Sequence, residues 1–184
     1  MIQRRDAPTD RFTDLFDAHY GEIYRYVAGR LSASHADDLA AETFLVAFRD
    51  RAKLRDAGQV RAWLYGIATN LVRRHQRDEE RRYRALARVG APAEPAENDH
   101  ERIISRVAAG GIHRELAAAL RDLKPADRDV LLLVALADLN YPEVAVALGI
   151  PEGTVASRLN RARKTVRAAL GGVDPTRDIS GVPR

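Results

Sequence analysis

NYPEVAVALGIPEGTVASRLNRARKTVR, residues 140 to 167, spells two short helices with a tight corner between them. Val144, Ala145 and Leu148 make the apolar side of the first helix. Gly149 can adopt the left-handed conformation that ends it, and Pro151 suits the first turn of the second. In the second helix Val155, Leu159, Ala162 and Val166 follow a 4, 3, 4 spacing, which turns one face inward. Ser157, Arg161 and Lys164 lie off that stripe, with Arg158 and Asn160 beside them. An inward first helix, a small-residue corner and an Arg-rich second helix make a helix-turn-helix suited to a DNA major groove.

The rest of the chain is helical in pattern too. Phe12, Leu15, Phe16, Tyr20, Ile23, Val27 and Leu31 recur at helical spacing between Arg11 and Leu31. Ser34, with Asp37 three residues on, predicts the start of a second helix that runs to about Asp50. Residues 51 to 58 read as a polar loop. Val60, Leu64, Ile67 and Leu71 then keep a 4, 3, 4 spacing that predicts a third helix, continuing as a charged one to Arg88. VGAPAEPAENDHE, from Val89, is rich in Ala, Pro and acid and reads as a linker. Periodicity resumes at Ile112, and Pro125 opens a strongly apolar helix ahead of the helix-turn-helix. No stretch reads as a strand. The expectation is all-α: two small helical domains, 11–88 and 112–170, joined by a flexible linker over 89–111. The first ten residues and the tail from 171 are expected to be disordered.

Composition narrows the function. The chain has 184 residues, with 30 Lys+Arg against 26 Asp+Glu, so its net charge of +4 matters less than where the charges lie. It has no Cys, which removes disulfides and thiolate metal sites and fits a cytoplasmic protein. The polar N-terminus, MIQRRDAPTD, does not read as a secretory leader. No segment nears the roughly 20 apolar residues that a membrane span needs. There is no Gly-rich phosphate loop and no Ser-His-Asp spacing, and the five histidines are scattered without metal spacing. We therefore expect no catalytic residues, no metal, no cofactor and no enzyme.

Three charge clusters stand out. Asp37, Asp38 and Glu42 gather at the start of the second helix, where acids near a positive helix end explain the first two better than the third. Arg73, Arg74, Arg77, Arg81, Arg84 and Arg88 run along the third helix, interleaved with Asp78, Glu79 and Glu80. The distal arginines fit a solvated, salt-bridged surface. Those nearer Trp63, Tyr65 and Asn70 sit beside aromatic and amide groups that suit unpaired bases. The third cluster, Arg158, Arg161, Arg163, Lys164 and Arg167, lies on the second helix of the motif.

ADDLAAETFLVAFRD and VRAWLYGIATNLVRRHQR resemble the second conserved region of bacterial RNA polymerase sigma factors. The segment from Asp122 to Leu170 resembles their fourth, and the short linker resembles the extracytoplasmic-function (ECF) group. That resemblance implies a set of roles. Asp38, Leu39, Glu42 and Phe44 would dock on the clamp helices of the polymerase core. Leu54, Tyr65 and Asn70 would line or flank a pocket for a flipped base of the −10 promoter element, with Arg73, Arg74 and Arg77 on phosphates. Ser157, Arg158, Asn160, Arg161 and Lys164 would face the −35 element. The partners implied are polymerase core, promoter DNA and an anti-sigma factor, with no membrane insertion and a monomer when free of them. Ala41, Pro142 and Ala156 depart from the family pattern; Ala156 removes a basic side chain common there. The residues alone leave two alternatives open, a duplex-binding helix-turn-helix regulator and a helical adaptor with no DNA role.

Overall fold

The computed structural model of the protein describes residues 8–31, 33–54, 56–88 and 111–171. Among these the order is α1 (Pro8–Ala28), α2 (Ala33–Arg49), α3 (Val60–Arg88), α4 (Gly111–Asp122), α5 (Pro125–Ala137), α6 (Tyr141–Leu148) and α7 (Glu152–Ala169). Two short 3-10 turns, Arg51–Lys53 and Ala57–Gln59, join α2 to α3 where a plain loop was expected. The expected linker and tail lie almost wholly outside the described residues. No strand occurs among the described residues, and none of their helices is long and apolar enough to cross a membrane.

α1 begins at Pro8, inside the segment expected to be disordered, because proline's fixed φ suits a first helical turn. α2 begins one residue before Ser34, so Ser34 lies within the helix. Asp37 is not a cap acid either. It accepts a 2.5 Å hydrogen bond from the Tyr20 hydroxyl of α1, and chiefly this bond pushes the Tyr20 phenol up to about 12. α1 and α2 close over an aromatic stack in which Phe16 lies 4.7 Å from Tyr20 and 4.9 Å from Phe44. α3 runs from Val60 to Arg88 as its spacing predicts, with Leu64 and Val72 fully buried.

The corner between α5 and α6 is built by backbone chemistry. Asp138 ends α5 at φ 50°, a left-handed conformation that Asp tolerates better than most residues. Leu139 then donates back to the Leu133 carbonyl at 3.2 Å, satisfying a carbonyl at the end of the helix. Asn140 opens α6 with a reciprocal capping box: its side chain accepts from the Glu143 N–H at 2.9 Å, and Glu143 accepts from the Asn140 N–H at 2.8 Å. Gly149 closes α6 at φ 63°, and Pro151 stands just before α7.

The two helical units are packed against each other. The buried apolar cluster runs unbroken from Ile23 and Val27 through Leu64 and Val72 to Leu133, Val144 and Leu159. α6 lies directly on α3. A β-carbon added at Gly66 would come within 2.4 Å of the Ala147 carbonyl oxygen, so only glycine permits this approach. Hydropathy spacing shows which face of a helix is buried but not which partner buries it, so reading two units on a tether left this contact unseen.

Candidate nucleic-acid interface

α7 carries the duplex-facing candidates. Val155, Leu159, Ala162 and Val166 bury its inner stripe. Ser157, Asn160, Arg161 and Lys164 are exposed, and Arg158 is half-buried. The polar face therefore stands in solvent, anchored beneath by a packed stripe. Ser157 donates to its own helix at the Thr154 carbonyl, 3.0 Å away. Arg161 is held sideways by the buried Asp127, to which Nε and Nη2 donate at 3.1 and 3.0 Å. That grip leaves the Nη1–Nη2 end free to point outward, and it raises the guanidinium's pKa through the hydrogen bonds to Asp127. Asp127 was not foreseen. Its signal was an acid in the first turn of an apolar helix, which reads equally well as a dipole partner.

The single-strand candidates scatter more than their spacing suggested. Asn70, Arg74 and Arg77 are exposed, and Leu54 is half-buried. Tyr65 is not open to a base: it is 2 % exposed, edge-on to Tyr26 with ring centroids 5.1 Å apart. Burial, then the neighbouring Glu22 carboxylate, pushes its phenol up to about 12. Arg73 is half-buried and donates from Nε to Asp129 of α5 at 2.6 Å. Arg74 donates to Glu42 of α2 at 2.7 Å, and Arg77 to the Arg73 carbonyl at 3.2 Å. Farther along, Arg81 pairs with Asp78, Arg82 with Glu79 and Arg84 with Glu80, the salt-bridged surface expected there.

On α2 the candidate docking residues divide by face. Asp38 is exposed and Glu42 half-buried. Leu39 and Phe44 are buried, and Phe44, 2 % exposed, belongs to the aromatic core rather than to a docking surface. Both follow from helical geometry. Ala36, Ala40, Phe44 and Ala47 share one side, 4, 4 and 3 residues apart. The opposite side presents Asp38, Ala41 and Leu45. Leu45 is 70 % exposed and Phe48 42 %, an apolar patch that the sequence reading missed because it singled out charge.

Beneath the α3 candidates lies a buried polar network. Arg30 and Asp129 have side chains each 2 % exposed, and Arg30 Nη2 donates to Asp129 Oδ1 while Arg73 takes the other oxygen. Arg30 Nη1 donates to the Tyr26 hydroxyl at 2.7 Å. Thr69 spends its proton on the Tyr65 carbonyl at 2.7 Å, so Tyr26 donates to Thr69 Oγ1 at 2.8 Å. Burial works against the charge on Arg30, but Tyr26 and Asp129 outweigh it and raise its pKa. Nearby, Arg61 of α3 donates to Glu22 at 2.8 Å and to the Ala137 carbonyl at the end of α5 at 2.6 Å. Burial pushes Glu22 up, but hydrogen bonds from Arg61 and His19 prevail, so its carboxyl lies below the ordinary value.

Known proteins resemble this chain in sequence and in fold. The model for sigma-70 region 2 matches residues 15–82, and that for sigma-70 region 4 matches residues 113–166. The ECF RNA polymerase sigma factor SigC of Mycobacterium tuberculosis is 32% identical over 161 residues, covering 87% of this chain and 81% of its own. RNA polymerase sigma factor CarQ of Myxococcus xanthus is 28% identical over 178 residues, covering 95% and 97%. Among solved structures, the sigma factor RpoE of Bartonella quintana, in complex with the anti-sigma factor NepR, superposes with a TM-score of 0.63 at 20% identity. That alignment covers 88% of this chain and 97% of the other, and it is a likeness of fold.

Proposed function

This chain belongs to the sigma-70 family of RNA polymerase sigma factors, in its ECF group, and from that premise we propose which of its surfaces do the work. As a sigma factor it directs polymerase core to promoters, and sigma factors are non-catalytic initiation factors. We assign residues 11–88 to core binding and to −10 recognition and melting, and residues 112–170 to −35 recognition. The observation that carries the assignment is the polar side of α7, exposed at Ser157, Asn160, Arg161 and Lys164 over a fully packed stripe. Such a helix can enter a major groove without disturbing the fold beneath it.

Core polymerase docks on the open side of α2, where Asp38 and Glu42 flank Leu45. Leu39 and Phe44 support that surface from below. Leu54, Asn70, Arg74 and Arg77 border the path of the unpaired −10 strand, with Arg73 beside them and Tyr65 packed beneath. Base extrusion costs a few kcal/mol, and each aromatic stack returns about 1–3. Arg158 serves phosphate beside the −35 bases. An anti-sigma factor is a further partner, as it is for the Bartonella quintana neighbour, and the site of action is the cytoplasm.

Run-off transcription with purified core polymerase on a genomic promoter pool tests this reading. Added protein should create new start sites; none appearing would end it. Within that assay Arg161→Ala should weaken use of the −35 element by about 1–3 kcal/mol, the worth of one bidentate base contact. Unchanged promoter choice would mean that Arg161 serves only to hold Asp127.

A further inference from the structure

Ser157, Asn160, Arg161 and Lys164 share the exposed side of α7, and of these four only Arg161 is held by another helix among the described residues. Its holder is Asp127, in the first turn of α5, where free backbone N–H groups and the helix dipole favour a carboxylate. The two carboxylate oxygens accept from Nε and Nη2 of Arg161 at 3.1 and 3.0 Å. The partners differ in exposure: the Asp127 side chain is 7 % exposed and that of Arg161 58 %. The carboxylate is an internal fixture, and the guanidinium is its outward face.

We infer that Asp127 is a positioning residue for promoter recognition, aiming Arg161 at a guanine in the duplex. The inference rests on the −35 assignment above. A guanidinium carries five N–H donors in one plane. Asp127 occupies the Nε–Nη2 edge, which leaves two parallel donors at the Nη1–Nη2 end. Two parallel donors match O6 and N7 of guanine in the major groove.

A phosphate would suit the same two donors, so charge decides between the ligands. The Asp127–Arg161 ion pair has no net charge to offer, and its carboxylate repels a second anion. A neutral base edge meets no such repulsion. Clamped to α5, the long side chain has also lost its freedom before it meets DNA, so binding costs less. A free arginine at the same place would take the nearest phosphate, a contact that orients the protein and carries no sequence information.

The test uses holoenzyme made with the full chain and a promoter from the pool described above, each base pair of its −35 element varied in turn. Run-off yields give the preference at each base pair, and Arg161→Ala identifies the one that Arg161 reads. Asp127→Asn should cut the preference for guanine there about tenfold and spare the other base pairs. Asparagine has one oxygen for two donors, and its own N–H groups face the second. Holoenzyme binding to a duplex without the element should hold or rise, and its salt dependence should steepen by about one phosphate contact, as the freed Arg161 turns to the backbone. A purely structural role would not move selectivity and non-specific binding in opposite directions. With Arg161→Ala already present, Asp127→Asn should change the preference no further. If Asp127→Asn lowers the helical circular dichroism signal, Asp127→Glu is read in the same way, since it keeps an acid in the first turn but displaces the guanidinium. Guanine preference kept in the folded variant, or lost equally at every base pair, overturns the proposal and spares the −35 assignment of Arg161. If Arg161→Ala itself changes no preference, both fall.

Discussion

Replacing Asp129 by alanine should weaken the packing of α5 on α1 and α3 by about 3–5 kcal/mol, the cost of stranding one member of a buried ion pair. Arg30 is the reason. Its side chain is 2 % exposed, and without Asp129 its remaining side-chain acceptor among the described residues is the Tyr26 hydroxyl. A guanidinium left that way either costs several kcal/mol or escapes to water by parting α5 from α1 and α3. The second route caps the loss, so a urea titration should show two transitions where the unaltered protein shows one. Arg73→Ala should cost at most about 1 kcal/mol, because its partly exposed charge already sees water. The double change Arg30→Met with Asp129→Leu should recover most of the Asp129→Ala loss, since apolar groups of similar size often replace a buried pair without penalty. If Asp129→Ala unfolds at the same urea concentration as the unaltered protein, the pair contributes nothing to holding α5 on α1 and α3.

That network was illegible in the sequence, for a physical reason. Arg30 and Asp129 are 99 residues apart, and no periodicity relates them. Each has a sufficient local explanation, as a basic residue near a helix end and an acid early in α5. Gly66 is similar: within a helical pattern it looks like a cost of about 1 kcal/mol, and its purpose appears only when Ala147 is found above it. What was legible is what a single helix dictates. The spacing of Val60, Leu64, Ile67 and Leu71 marked the first part of α3, and Val155, Leu159, Ala162 and Val166 marked the inner side of α7. Gly149 marked the turn because a left-handed φ of 63° favours glycine. The capping box of Asn140 and Glu143 could have been read as well, being an Asn followed three residues on by Glu ahead of an apolar run.

Phe44 and Leu45, adjacent in sequence, should respond to substitution in opposite ways. Phe44→Ala removes a buried ring packed 4.9 Å from Phe16 and 5.8 Å from Tyr20, and large-to-small changes of that kind cost about 3–5 kcal/mol. Stability in urea should fall by that amount. Affinity for core polymerase, corrected for the folded fraction, should change little. Leu45 has the reverse surroundings. It is 70 % exposed, so Leu45→Arg should alter stability by no more than about 0.5 kcal/mol. An exposed leucine between Asp38, Ala41 and Phe48 offers a partner helix an apolar contact rimmed by acid, the composition in which a few residues carry most of the binding energy. Placing a cation there should therefore lower core affinity at least about tenfold, or about 1.4 kcal/mol, measured by titrating core against labelled protein. Should Leu45→Arg bind core as tightly as the unaltered chain, the open side of α2 is not the docking surface, and the acidic pair Asp38 and Glu42 is left with a purely local role. Should Phe44→Ala keep its stability while losing core, the aromatic stack would have to open on binding, and Phe44 would return to the interface where sequence resemblance first put it.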